Sequence, residues 1–304
     1  MTERVTYING RIVPDSDALI SFRDSMAMNG EGVYDTERTF DGQVFKLREH
    51  LDRLAHSLEY LRIDPPIPFD ELEELTLEIA RRNYEIVGED LWVSQRISRG
   101  TPLEWGGSGQ PTVIVECLPI PFAERALYYV EGADVATPTV RRTPPWAQSP
   151  QAKTMSLLNL RLGALEAQAS SPGVWPILVD EHGNLAEGAA SNIFVVRSGR
   201  LLTPQNQYVL AGVTRNTVLE LAEAHGIPTA ECDIGLYEAY TADEIFITST
   251  SLCICPARTL NGARPRAADV PGPITKQLQD AFAELVGVDF VAQYLAHLTE
   301  PVPV

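Results

Sequence analysis

The sequence predicts an α+β fold in two lobes. Three observations carry this. Alternating apolar runs with Gly-containing turns sit among leucine-periodic helices, so hairpins and helices mix within one chain. The texture changes at Pro119-Ile120-Pro121, which separates a smaller domain over residues 1–120 from a larger one over 132–304, with 121–131 as the linker. Strict strand–helix alternation and a Gly-x-Gly-x-x-Gly segment are both absent, which argues against a doubly wound nucleotide-binding sheet. At 304 residues the chain is long enough for two medium domains.

The elements follow in order. Val5–Ile8 and Arg11–Val13 flank Asn9-Gly10, a strong hairpin signal. A second hairpin runs from Tyr34 to Lys46 and turns at Asp41-Gly42. Leu47, Leu51, Leu54, Leu58 and Leu61 recur at helical spacing, and Pro65-Pro66 stops that helix. A further helix covers Phe69–Tyr84. Leu91–Arg99 and Pro111–Leu118 read as strands. Beyond the linker, Asp134–Arg142 is strand-like, Thr143–Ala152 is a proline-containing loop, and Lys153–Ala169 is helical. Short strands are expected at Pro176–Asp180, Ser191–Arg197 and Leu201–Leu202. Thr214–His225 is a helix closed by Gly226. Thr229–Asp233 and Glu244–Thr250 are strands, and Ile274–Val286 is a helix. Disorder is expected only in the tail from Glu300 to Val304.

Hydrophobic residues make up 44% of the chain and the formal net charge is −17. So acidic a surface repels a phosphate backbone, which argues against nucleic-acid binding. A small anionic ligand would need a local positive site. The N-terminus lacks an apolar signal core, and no apolar run approaches a membrane span, so the expectation is a soluble, cytoplasmic protein with no membrane contact. Cys117, Cys232, Cys253 and Cys255 form no CxxC pair and the five histidines are scattered, so no metal site is expected.

Four places could carry chemistry. Lys153 follows the proline-containing loop and precedes an apolar helix. Imine chemistry needs a lysine amine that can be neutral, which burial promotes; alone, the residue reads rather as a surface lysine at a helix start. Glu187 lies between two strands, where a carboxylate in a low-dielectric turn can keep a pyridine nitrogen protonated. It is also read as an ordinary loop acid. Ser191 and Asn192 could bond the same turn. In Leu210-Ala211-Gly212-Val213-Thr214-Arg215, Gly212 permits close approach, and Val213 and Thr214 offer free N–H groups at a helix start, a ready phosphate site or a plain cap. Thr248–Ser251 adds hydroxyls. Arg53, beside the leucine stripe, either reaches inward as the positive group an anion requires or pairs with Glu49.

Taken together and in order, these segments resemble the class IV aminotransferases, the fold-type IV pyridoxal-phosphate enzymes. The matching stretches are Phe45–Leu54, Lys153 with its helix, Glu187–Phe194, Leu210–Arg215 and Ala242–Thr250. The resemblance implies a small N-terminal α/β lobe, a larger C-terminal lobe with a strand-rich core, a site between them and a homodimer. It implies pyridoxal 5'-phosphate linked to Lys153, which then shuttles a proton between substrate and cofactor carbons. Glu187 would pair with the ring nitrogen. Arg53, Gly212, Val213, Thr214 and Thr250 would hold the phosphate, and Leu210 would pack on the ring.

The implied activity is transfer of an amino group from an amino acid or amine to a 2-oxo acid. Branched-chain, D-amino-acid and (R)-amine donors all stay open. Branched-chain enzymes carry a tyrosine five residues after the lysine, where this chain has Leu158. D-amino-acid enzymes carry an Arg-x-His pair after the Arg-Gly turn, where this chain has Thr101-Pro102-Leu103. Tyr34, Arg38 and Ser251 are candidate substrate contacts; Arg38 either meets a carboxylate or pairs with Asp35 or Glu37. The alternative is pyruvate elimination of the 4-amino-4-deoxychorismate lyase type.

Overall fold

The computed structural model describes residues 3–267 and 269–298; the tail expected to be disordered lies outside them. The chain forms two compact units. One comprises Met1–Ile120 with Ala152–Leu157, the other Pro121–Gln151 with Leu158–Val304.

The first unit holds β1 (Val5–Ile8), β2 (Arg11–Pro14), α1 (Ser25–Asn29), β3 (Gly32–Phe40), β4 (Gln43–Val44), α2 (Leu47–Leu61), α3 (Phe69–Val87), β5 (Leu91–Ser98) and β6 (Thr112–Pro119). Asn9 and Gly10 both take positive φ, 47° and 86°, as a two-residue turn matched to strand twist requires. The six strands form one antiparallel sheet in the order β2-β1-β6-β5-β3-β4. Strand alternation gives it two unlike faces. Val33, Val93, Ile97, Val113 and Val115 pack under α2 and α3, which contribute Leu47, Leu51, Leu54, Leu58, Leu72 and Ile79. Tyr34, Thr36, Ser94 and Arg96 occupy the other face, with Tyr34 opposite Arg96 and Thr36 opposite Ser94. Helix α2 ends before the prolines, where Arg62 turns left-handed at φ 53° and its N–H closes on Leu58 and Glu59.

The Lys153 segment differs from its expected helix. Tyr34 N donates to Lys153 O at 3.0 Å and Met155 N to Gly32 O at 2.8 Å. These bonds, with a bridge between Val33 and Thr154, hold the segment extended beside β3 and group it with the first unit. A helix begins only at Leu158.

The second unit opens with α4 (Phe122–Arg125) and α5 (Tyr128–Glu131), so the stretch read as a linker is helical. It continues with β7 (Ala133–Ala136), α6 (Leu158–Ser170), β8 (Trp175–Val179), β9 (Leu185–Gly188), β10 (Asn192–Arg197), β11 (Arg200–Thr203), α7 (Val213–Ala224), β12 (Thr229–Glu231), α8 (Leu236–Tyr240), β13 (Glu244–Ser249), β14 (Cys253–Leu260), α9 (Pro273–Val286) and α10 (Phe290–Leu295). The sheet order is β12-β11-β10-β13-β14-β7-β8-β9, and β9 also pairs with β10, so six strands close into a ring. Helix α6 packs through small residues. A Cβ on Gly163 would lie 2.9 Å from Leu178, while Leu158, Leu162 and Leu165 face outward. No described helix is long and apolar enough to cross a membrane.

Candidate active site

The chain has three lysines, Lys46, Lys153 and Lys276. Lys46 lies 3.8 Å from Glu49, and Lys276 pairs with Asp280. Lys153 has no ion-pair or hydrogen-bond partner for its amine among the described residues. Its Nζ lies 4.6 Å from the Tyr34 ring centroid, and the residue is half-buried. The backbone beneath is fixed: Lys153 N donates to Ser57 Oγ at 3.0 Å, and Ser57 Oγ donates to Arg53 O at 2.8 Å. Helix α2 thus ties the lysine backbone to that of Arg53.

Arg53 turns inward rather than toward Glu49. Its Nε and Nη2 donate to Asp35 at 2.9 and 2.6 Å, and Asp35 also meets His50 Nδ1 at 2.8 Å. Burial pushes the Asp35 carboxyl up, but the charges and hydrogen bonds of Arg53 and His50 outweigh it and hold Asp35 well below the usual range. Burial pushes His50 down, helped by Arg53 and Lys153 against the pull of Asp35. Glu37 behaves oppositely. Burial, then the Asp35 charge, raise it well above the ordinary carboxyl value. Asp35, Glu37 and His50 could converge on a metal ion, yet Arg53 occupies both oxygens of Asp35 and repels a cation there.

Arg38 belongs to the interior. It is 1% exposed, its Nε donates to Thr39 O at 3.1 Å, its Nη2 lies 3.9 Å from Asp90, and its guanidinium stacks 4.2 Å from the Phe40 ring centroid. Its carboxylate neighbour is Asp90 rather than Asp35 or Glu37, and the guanidinium is closed to a substrate.

In the second unit, Glu187 sits in β9 and is buried. Arg142 Nε donates to one of its oxygens at 2.8 Å and Leu210 N to the other, also at 2.8 Å. Asn192, opposite Glu187 on β10, donates from Nδ2 to Leu210 O at 3.0 Å. Leu210 is therefore pinned from both sides of its peptide and remains half-buried. Gly212 caps α7 without a side-chain bond, and the first turn holds no acid. Val213 N and Thr214 N stand at that first turn, whose earliest ladder bond is Asn216 N to Gly212 O at 2.9 Å. A Cβ on Gly212 would meet Asn192 Oδ1 at 2.3 Å. Thr248, opposite Asn192 on β13, and Ser191 each bury a hydroxyl with no partner. Thr250 is half-buried just past the end of β13. Ser251 accepts from Arg125 at its hydroxyl.

These features fit a phosphate-bearing pyridine cofactor. An acid-free, uncapped helix start, a glycine that admits no side chain and two orphaned buried hydroxyls suit a phosphate. A buried carboxylate held by an arginine and a backbone N–H suits a ring nitrogen.

The family model for amino-transferase class IV matches residues 32–260. The chain belongs to the class IV aminotransferases. Members of this family use pyridoxal 5'-phosphate, and the chain is an aminotransferase dependent on it. It is 36% identical to a putative branched-chain-amino-acid aminotransferase of Methanocaldococcus jannaschii, across 92% of this chain and 95% of that one. It is 27% identical to a D-alanine aminotransferase of Staphylococcus epidermidis, across 92% and 97%. A branched-chain aminotransferase of Thermoproteus uzoniensis, solved with norvaline, superposes with a TM-score of 0.83 at 29% identity, covering 98% of this chain and 99% of that one.

Sequence reasoning missed Arg142, which meets Glu187 from 45 residues away with no local signal. It also missed the Asp35–His50–Arg53 network, whose helical half is visible as His50 and Arg53 at i and i+3 on α2. The count of three lysines was a usable signal for Lys153.

Proposed function

We propose that this class IV aminotransferase moves an amino group from an amino acid or amine to a 2-oxo acid, with Lys153 as its catalytic residue. The observation that carries the reading is the amine of Lys153, half-buried over Tyr34 and unpaired among the described residues, in a chain whose other two lysines sit beside acids. Pyridoxal 5'-phosphate, when bound, supplies an aldehyde that links to amines and a ring that accepts the electron pair freed at the donor's α-carbon.

The chain's own residues do the rest. Lys153 Nζ would take the proton from the donor's α-carbon and return one to the reacting system. Tyr34 faces that amine with its ring and lines the substrate side. Glu187 would offer its carboxylate to the ring nitrogen, and the Arg142 bond orients that carboxylate. The N–H groups of Val213 and Thr214, the Thr250 hydroxyl and Arg53 are the groups that would hold the phosphate. Asp35 orients Arg53 through two bonds. Leu210, pinned by Glu187 and Asn192, would pack against the ring, and Ser251 would contact the substrate.

A donor panel tests the reading. Branched-chain L-amino acids, both enantiomers of alanine and both enantiomers of a chiral amine are each offered with pyruvate or 2-oxoglutarate. At least one donor is expected to convert the bound cofactor to its amine form, and an oxo acid to convert it back. Pyruvate release without an acceptor would indicate the lyase reaction instead, and no half-reaction with any donor would refute transamination.

A further inference from the structure

Arg96 is a cation on the same sheet face as Tyr34, directly opposite it in the β3–β5 pairing. Its guanidinium carbon lies 5.6 Å from the Tyr34 ring centroid, and Lys153 Nζ lies 4.6 Å from the same centroid. The two cationic groups are therefore no more than about 10 Å apart. Arg96 Nε donates to Glu116 Oε1, while neither terminal nitrogen has a partner among the described residues. The side chain is 34% exposed. Beside it, the Thr36 and Ser94 hydroxyls hydrogen-bond each other at 2.8 Å.

This arrangement is unusual among the inward-pointing arginines of the first unit. Arg53 spends two nitrogens on Asp35, and Arg38 is sealed against Asp90 and Phe40. Glu116 holds Arg96 through its inner nitrogen, which fixes the plane and leaves the end-on edge of the fork open. That edge is the one that binds a carboxylate through two parallel bonds. An amino acid whose α-carbon sits at Lys153 Nζ places its carboxylates within the remaining span.

We infer that Arg96, oriented by Glu116, is the specificity-determining residue that binds a carboxylate of the amino-acid and 2-oxo-acid substrates. Arg96 thus takes the carboxylate contact for which Arg38 was one candidate. The inference rests on the transaminase reading and on Lys153 as the reacting lysine. Tyr34, whose ring both cations approach, helps set the distance between the reacting amine and the anchored carboxylate. A substrate lacking a carboxylate would gain nothing from Arg96.

The test compares the holoenzyme with Arg96→Gln and Arg96→Lys, using a monocarboxylic amino acid, a dicarboxylic one and an alkylamine of matched chain length. Borohydride labelling of Lys153 and thermal denaturation first establish that each variant is folded and loaded. Arg96→Gln is expected to raise KM for carboxylate substrates about 10- to 100-fold, the loss of a charge-assisted contact, with a smaller change in kcat. Preference for the amino acid over the matched amine falls by the same factor. The dissociation constant of a short aliphatic monocarboxylate, read by calorimetry, rises in parallel if the α-carboxylate is the one bound. Loss confined to the dicarboxylic substrate assigns Arg96 to the distal carboxylate. Arg96→Lys keeps the charge without the fork and recovers part of the loss. Equal losses for acid and amine, or unchanged KM for every acid, would overturn the inference while leaving transamination intact. Absence of any half-reaction in the wild-type enzyme would overturn both.

Discussion

Replacing Glu187 by glutamine tests the electrostatic centre of the second unit. Both oxygens of Glu187 receive donors, Arg142 Nε and Leu210 N, each at 2.8 Å. Glutamine is almost isosteric, but its amide offers one acceptor oxygen and one donor nitrogen. One of the two donors must therefore face an N–H₂ group. If the amide oxygen goes to Leu210 N, the 11%-exposed Arg142 side chain loses its counter-ion. If it goes to Arg142, the Leu210 peptide loses its anchor. Removing one partner of a buried ion pair costs about 3–5 kcal/mol. At about 1.4 kcal/mol per factor of ten, even the lower figure corresponds to roughly 100-fold. Turnover is expected to fall by at least that factor, because the ring nitrogen also loses its anionic partner. The assay is stopped-flow conversion of the bound cofactor to its amine form, with cofactor content measured alongside. Cofactor is expected to stay bound through the phosphate contacts. A half-reaction within threefold of wild type would refute the role given to Glu187.

Two further perturbations test other parts of the account. In Gly212→Ala the backbone angles suit alanine (φ −62°, ψ 132°), so the cost comes from the 2.3 Å approach of the new Cβ to Asn192 Oδ1. Overpacking with loss of the Asn192–Leu210 bond amounts to about 2–4 kcal/mol, and phosphate affinity is expected to weaken more than tenfold by titration of the apoenzyme; unchanged affinity and melting temperature would count against the cradle. Glu37→Gln tests the protonated carboxyl. Its raised value means that the folded chain holds a proton that the unfolded chain releases. Its contribution is full below the ordinary carboxyl value and is lost as pH rises through the raised one. The melting temperature of Glu37→Gln relative to wild type is expected to climb between pH 4 and pH 8, and a flat or falling difference would contradict a protonated Glu37.

Much of the fold is legible in residue patterns, and the exceptions have physical causes. The two Gly-containing hairpins and the leucine helix form where the spacing puts them, because turn chemistry and amphipathic periodicity act locally. Strands β9 and β14 escape notice. Leu185–Gly188 is buried throughout and so shows no alternation, and β14 contains Pro256 and begins at Cys253 with φ 53°. The Lys153 segment misleads for a tertiary reason. Its leucine-rich continuation suggests a helix, but pairing with β3 overrides that tendency up to Leu157. The leucines of α6 misled in another way, since close packing on β8 used Gly163, Ala164 and Ala167 instead.

The site divides similarly. Glu187, Leu210 and the α7 start are local motifs, and each motif positions its own backbone. Arg38 could not be placed from sequence, because Asp90, the carboxylate that its guanidinium meets, comes from 52 residues away. Arg142 reaches Glu187 from a loop 45 residues away, and Arg96 depends on strand register, neither of which sequence spacing alone supplies.

The central claim is that Lys153 carries the cofactor. Borohydride reduction of the holoenzyme, followed by peptide mass spectrometry, tests it most directly. The peptide containing Lys153 is expected to gain the mass of a reduced phosphopyridoxyl group, with Lys46 and Lys276 unmodified. A label on either of those lysines, or a yellow holoenzyme that gains no mass on reduction, would contradict the account.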